Sequence, residues 1–131
     1  MDAERLATIP FFAALDGEVL GAVAESAFEV EAAEGEQLAL EGDFGYALYA
    51  IESGTAEVSS EGRSLGSLGP GDVFGEIAVL ASGRRTATVV ATTPMRLIAL
   101  FKRDVWALER RDPTAAARLR ELVDQRRALT G

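Results

Sequence analysis

The stretch FGEIAVLASGRRTATV, residues 74–89, carries most of the chemistry in this chain, and its reading decides the fold. Its first half, from Gly75 to Leu80, can form a short helix entered directly from Gly69-Pro70-Gly71-Asp72-Val73. Free N–H groups at a helix start, with the helix dipole behind them, attract an anion. Gly75 has no side chain, so a phosphate can approach the backbone closely. Further on, the spacing predicts a strand beginning at Arg84-Arg85-Thr86, which would let the chain turn back and set an arginine over the same anion. Taken singly, each signal has a plain structural explanation. Glu76 suits a first helical turn through the dipole alone, Thr86 and Thr88 suit a strand, and one of two adjacent arginines on a strand faces outward. Their order and spacing together point to one anion site.

Around this segment, short apolar runs at 37–40, 46–51, 56–59, 88–91 and 96–101 alternate with turn signals. The turns are Glu34-Gly35, Gly42-Asp43, Ser53-Gly54, Glu61-Gly62 and Gly69-Pro70-Gly71-Asp72. The spacing is too short for the crossover helices of a parallel sheet. The pattern predicts a mainly β fold with flanking α-helices: an antiparallel jelly-roll (cupin-like double-stranded β-helix) barrel with an N-terminal helix and two C-terminal helices. Before the strands, Asp16 is placed to cap a helix in which Val19, Leu20, Val23, Ala24 and Ala27 recur at helical spacing. Ile9-Pro10-Phe11-Phe12 reads as a short turn docked on a core. After the strands, residues 103–111 predict one helix, with Val105, Trp106 and Leu108 as apolar contacts. Asp112-Pro113 then caps and starts a second, whose stripe of Ala115, Leu119, Leu122 and Val123 packs on the body. The expected organisation is a single domain over 1–131: a helical segment at 1–27, a β-roll at 28–102 and C-terminal helices at 103–131.

Composition narrows the chemistry. The 131 residues carry a formal net charge of −8, which opposes non-specific binding to nucleic acid or anionic lipid. An anionic ligand would need a local positive site working against that field. There is no cysteine and no histidine, which excludes thiolate zinc sites, thiol nucleophiles, histidine triads and the usual zinc and iron ligand sets. No catalytic residues and no metal site are expected, and the chain reads as a non-enzyme. No segment approaches the ~18 continuous apolar residues of a membrane span. The expected location is cytoplasmic, either as a free protein or as the cytoplasmic part of a membrane protein.

Residues 74–89 resemble the phosphate-binding cassette of the cyclic-nucleotide-binding domain family. The pattern Phe-Gly-Glu, aliphatic, Ala, two aliphatics, a loop, then Arg-Thr-Ala-Thr-Val runs without a gap. Gly42-Asp43, Tyr49-Ala50-Ile51 with Gly54, and Gly69-Pro70-Gly71-Asp72 sit at the family's turn and strand markers. The Gly83-Arg84-Arg85-Thr86-Ala87 run, followed by Arg96-Leu97, is most similar to domains of cyclic-nucleotide-gated and hyperpolarisation-activated channels and their bacterial relatives. Many family members have proline where this chain has Arg84, a departure that affects loop stiffness. The resemblance implies that Arg85 pairs with the cyclic phosphate while Gly75, Ile77 and Ala78 offer backbone N–H groups. It implies that Glu76 accepts from the ribose 2′-hydroxyl, and that Thr86 bonds the phosphate and can reach a guanine held syn. Arg126 stands at the distance of the family's base-capping arginine; it reads equally well as a solvated arginine at a helix end.

The function implied is a regulatory domain that binds cyclic AMP (cAMP) or cyclic GMP (cGMP), with no other cofactor, and moves its C-terminal helix for a larger parent or effector. The alternative is the effector or dimerisation domain of a catabolite-activator-type transcription regulator without its DNA-binding part. No helix-turn-helix follows the last helix up to Gly131, so DNA binding is not expected of these residues. A metal-dependent cupin-like enzyme lacks the histidines it would need.

Overall fold

The computed structural model describes residues 1–130, with every side chain except those of residue 82 and residues 127–130. Three helices open the chain: α1 (Ala3–Leu6), α2 (Pro10–Ala13) and α3 (Gly17–Ser26). Asp2 and Asp16 cap α1 and α3 by accepting from the N–H groups of Glu4 and Glu18 at 2.8 and 2.9 Å. The stretch expected as a docking turn is the single turn α2, with Pro10 at its start and Phe11 and Phe12 buried edge-to-face.

Eight strands follow: β1 (Phe28–Ala32), β2 (Gln37–Ala39), β3 (Ala47–Ser53), β4 (Ala56–Ser60), β5 (Arg63–Leu68), β6 (Val73–Phe74), β7 (Thr88–Ala91) and β8 (Met95–Phe101). The chain closes with α4 (Lys102–Arg111) and α5 (Pro113–Thr130). Asp112 caps α5 as its sequence implies, accepting from the Ala115 N–H at 3.0 Å.

The strands form two antiparallel sheets in the orders β1-β8-β3-β6 and β2-β7-β4-β5. This corrects the expected barrel. Neither sheet closes on itself, and helices occupy as much of the chain as strands, so the fold is mixed α and β. Closure needs hydrogen bonds between edge strands along their length, and these edges do not offer them. β6 has two residues and ends at Gly75, whose φ of +94° turns the chain out of the sheet. β5 is exposed along nearly all its length and pairs with β4 alone.

The core is layered. Alternation on β3 and β8 sends Leu48, Ala50, Ile98 and Leu100 toward the helices, where they meet Phe12, Leu108 and Leu119. The opposite face, with Ile51, Met95 and Leu97, packs on Ala56, Val89 and Ala91 of the second sheet. The first sheet is therefore covered on both sides, which explains the almost continuous apolar run of β8. Of the apolar stripe expected on α5, Ala115, Leu119 and Val123 are buried and Leu122 is half-buried. At about 2 kcal/mol for each large side chain buried, this stripe suffices to dock α5.

An ion-pair group ties α1 to the first sheet. Arg5 donates from Nε and Nη2 to the two carboxylate oxygens of Glu52 on β3, each at 2.6 Å, and pairs with Glu29 on β1. These donors hold the Glu52 carboxyl below its ordinary value, against the partial burial that pushes it up. A depressed folded-state value contributes stability above the ordinary carboxylate range, and the contribution is lost as pH falls through the folded value. Glu52→Gln should therefore lower the melting temperature at neutral pH. A thermal melt series should show the gap to the native chain closing as pH is lowered through the carboxylate range.

Candidate functional site

The cassette bridges the two sheets at one end of the sandwich. Leaving β6, the chain makes a helical turn at 76–77 and a π-helical stretch (Ala78–Ser82). Ile77, Ala78 and Val79 are buried, which fixes this short helix against the body. The strand expected from Arg84 begins later, at Thr88, and the backbone of Arg84 forms an isolated β-bridge with Phe44. The reason is the preceding loop. Arg85 donates its N–H to Asp43 O at 2.7 Å, Gly42 to Arg85 O at 2.9 Å and Gly45 to Gly83 O at 3.1 Å. These bonds clamp residues 83–85 to the 42–45 loop and hold them out of the ladder.

All seven residues singled out from the sequence, Gly75, Glu76, Ile77, Ala78, Arg85, Thr86 and Arg126, line one cavity of about 150 Å³. Arg85 is the buried cation among them, at 8% exposure. Its Nη2 donates to Ala47 O at 3.0 Å and its Nη1 to Gly75 O at 3.4 Å, with Cζ 5.6 Å from the Tyr49 ring. Among the described residues, no carboxylate forms an ion pair with it. Burial pushes its guanidinium down from the ordinary value, while Tyr49 and Glu76 act in the opposite direction. An arginine nonetheless keeps its charge. The result is a desolvated positive charge facing a cavity beside the first turn of a helix.

Glu76 is 1% exposed, the more deeply buried of the two charged core residues. Its Oε2 accepts from Nη1 of Arg126 at 2.7 Å, and the same nitrogen donates to Val73 O at 2.6 Å. Its Oε1 takes no hydrogen bond among the described residues, and no side-chain polar atom there is both sealed off and unbonded. Oε1 therefore opens on the cavity. Arg126 is not the solvated helix-end arginine of one sequence reading; it reaches from α5 into the cassette.

The sequence reading missed Gly45 and the wall that the β4–β5 hairpin gives the cavity. A Cβ on Gly45 would fall 2.5 Å from Ala78 Cβ and 2.7 Å from Arg85 Nε. A Cβ on Gly75 would fall 2.5 Å from Arg85 Nη1 and 2.8 Å from Ala47 O, at a φ that already disfavours side chains. Both glycines make room for the arginine, and neighbours in sequence give no sign of that for Gly45. The far wall of the cavity comes from the β4–β5 hairpin, through Val58, Leu65 and Leu68. Among the described residues, no helix is long and apolar enough to cross a membrane, and no group of three or more metal-binding side chains is assembled.

With this geometry in view, comparison with known proteins is direct. The model of the cyclic nucleotide-binding domain matches residues 29–112. The cyclic AMP receptor protein of Thermus thermophilus is 39% identical over 98 residues, covering 71% of this chain and 45% of that protein. A putative potassium channel protein of Rhodopseudomonas palustris is 32% identical over 125 residues, covering 92% of this chain and 30% of that protein. The crystal structure of the Thermus thermophilus catabolite activator protein is 35% identical with a TM-score of 0.77, covering 89% of this chain and 57% of that one. The chain belongs to the cyclic nucleotide-binding domain family. It spans less than half the length of the two curated relatives. The similarity does not single out channel domains, since the cyclic AMP receptor protein is the more identical of the two.

Because Gly75 meets both a steric and a conformational demand, Gly75→Ala should lower stability by about 1–3 kcal/mol in urea unfolding. Gly35→Ala also has a positive φ but nothing within 4 Å, so it isolates the backbone cost. The smaller loss is expected there.

Proposed function

We propose that this chain binds a 3′,5′-cyclic mononucleotide, cAMP or cGMP, in the cassette cavity and signals its presence to a parent protein. One observation carries the reading: a buried Arg85 without a carboxylate partner faces the same cavity as the open oxygen of a buried Glu76. An anion alone would want the arginine; a ligand with both an anionic and a hydroxyl group wants the pair. In this reading Arg85 takes the cyclic phosphate, and the first backbone N–H groups of the cassette helix, at Gly75, Ile77 and Ala78, support it. Glu76 accepts from the ribose 2′-hydroxyl, and Thr86 bonds the phosphate and stands within reach of a guanine.

A cyclic mononucleotide has about 22 non-hydrogen atoms, and at roughly 0.3–0.4 kcal/mol per atom its dissociation constant should be near micromolar. The element that answers to the ligand is α5, because its Arg126 bonds the cassette directly. For the parent, a regulator of the catabolite-activator type has the better support, from 39% and 35% identity to such relatives. A channel parent has the support of a 32% identical relative that spans more of the chain.

Isothermal titration with cAMP and cGMP tests the reading. Arg85→Ala should remove binding, a loss of about 2–5 kcal/mol, while circular dichroism stays native. Glu76→Gln should lose less, about 1–3 kcal/mol. Trp106, the sole tryptophan, donates its indole N–H to Val79 O at 3.2 Å and so gives a fluorescence signal tied to the cassette. An Arg85→Ala protein that binds with native affinity would overturn the assignment.

A further inference from the structure

We propose that the exposed face of α4 docks an acidic segment of a partner protein that carries an apolar anchor, a role independent of the cyclic-nucleotide reading above. Lys102, Arg103, Trp106 and Arg110 are spaced by three and four residues and so share one side of α4, opposite the buried Val105 and Leu108. Arg103, Trp106 and Arg110 are exposed, and Lys102 sets its Nζ 5.5 Å from the centroid of the Trp106 ring. Among the described residues, no carboxylate pairs with Lys102, Arg103 or Arg110. The acids of the helix lie elsewhere. Glu109 pairs with Arg120 of α5 at 3.3 Å, and the helical turn carries Asp104 to the far side.

Local structure does not account for this face. The chain has 21 acidic and 13 basic residues, yet cations alone gather here around a tryptophan. Arg110 suits the end of α4 through the helix dipole, but Lys102 and Arg103 stand in its first turn, where the dipole opposes a cation. The indole N–H of Trp106 is bonded to Val79 O, while its ring remains exposed. Beside the start of α4, the Tyr46 carbonyl accepts from the Lys102 N–H at 2.8 Å. Its exposed ring lies 6.4 Å from that of Phe44, also exposed, over which Arg84 sits at 4.2 Å. Exposed aromatics accompanied by arginine are enriched at protein interfaces. The charge of the face calls for an acidic occupant, and its aromatics call for an apolar side chain within that occupant. α4 is only about 15 Å long, so a short segment fits it. A nucleic acid or lipid surface would extend over the acidic remainder of the chain. A second copy related by a two-fold axis through α4 would set cation against cation.

Fluorescein-labelled synthetic peptides provide the test, titrated with the full chain and followed by anisotropy. One set is built of Glu and Asp with a single Leu or Phe at a varied position; a second set replaces the acids by Lys. Acidic peptides should bind and Lys-rich ones should not, with affinity falling as salt is raised. Arg103→Glu combined with Arg110→Glu should weaken binding by about tenfold or more, and Trp106→Ala should weaken it as well. Arg63→Glu combined with Arg96→Glu makes the same change in net charge at exposed positions away from α4, and should leave affinity nearly unchanged. If the α4 pair does not fold by circular dichroism, Arg103→Gln with Arg110→Gln decides. Failure of every acidic peptide to bind, or binding indifferent to the α4 variants, would overturn the proposal. So would tighter binding to phosphatidylserine vesicles or to a single-stranded oligonucleotide, or self-association in sedimentation, that the α4 variants abolish.

Discussion

A guanidinium buried in a protein of net charge −8, hydrogen-bonded among the described residues to backbone carbonyls, is the constraint around which this end of the molecule is organised. Burying a charge without a counter-charge is costly, so the surroundings must reduce the cost by geometry. Ala47 and Gly75 supply the carbonyls, and the Tyr49 ring, stacked on Phe74 at 5.1 Å, supplies a polarisable face. Gly45 and Gly75 leave the space the side chain needs. The clamp between residues 42–45 and 83–85 fixes the backbone from which Arg85 projects. In the proposed reading, an anion entering the cavity completes what the protein leaves incomplete.

The second consequence is mechanical. The cassette joins the two sheets, and its buried helix packs in the same core as α4 and α5. Arg126 adds a polar link from α5 to Glu76, and Arg120 adds a longer one to Leu80 O. A ligand with different affinity for two cassette arrangements would therefore bias α5 between two arrangements as well. The apolar stripe of α5 is already spent on the body, so that bias is opposed by hydrophobic burial and must be supplied by the polar contacts at the site. That division of labour suits a sensor domain: the core sets the resting arrangement, and the cassette perturbs it.

Much of this was legible in the chain. Asp16 and Asp112 announced two helix starts, the glycine turns bounded β2, β3 and β4, and β8 carries an almost continuous apolar run interrupted by Arg96. Gly75, Glu76 and Arg85 were readable by order and spacing, Ile77, Ala78, Thr86 and Arg126 through the family resemblance, and all seven line one cavity. β1 was not among the expected runs, and β5 and β6 were not readable, one because its glycine and serines mimic a loop, the other because two residues make no pattern. The barrel expectation went wrong at β5 and β6.

The sequence by itself determined the helix caps, the turns, most strands and the anion-binding segment, because these depend on hydrogen bonds and side-chain alternation within a few residues. Tertiary structure alone decided that the sheets stay open, that Gly45 serves Arg85, and that Arg126 belongs to Glu76, 50 residues away. Edge pairing, steric clearance and a buried ion pair are properties of segments brought together by packing, and no local pattern encodes which distant partner will be in reach.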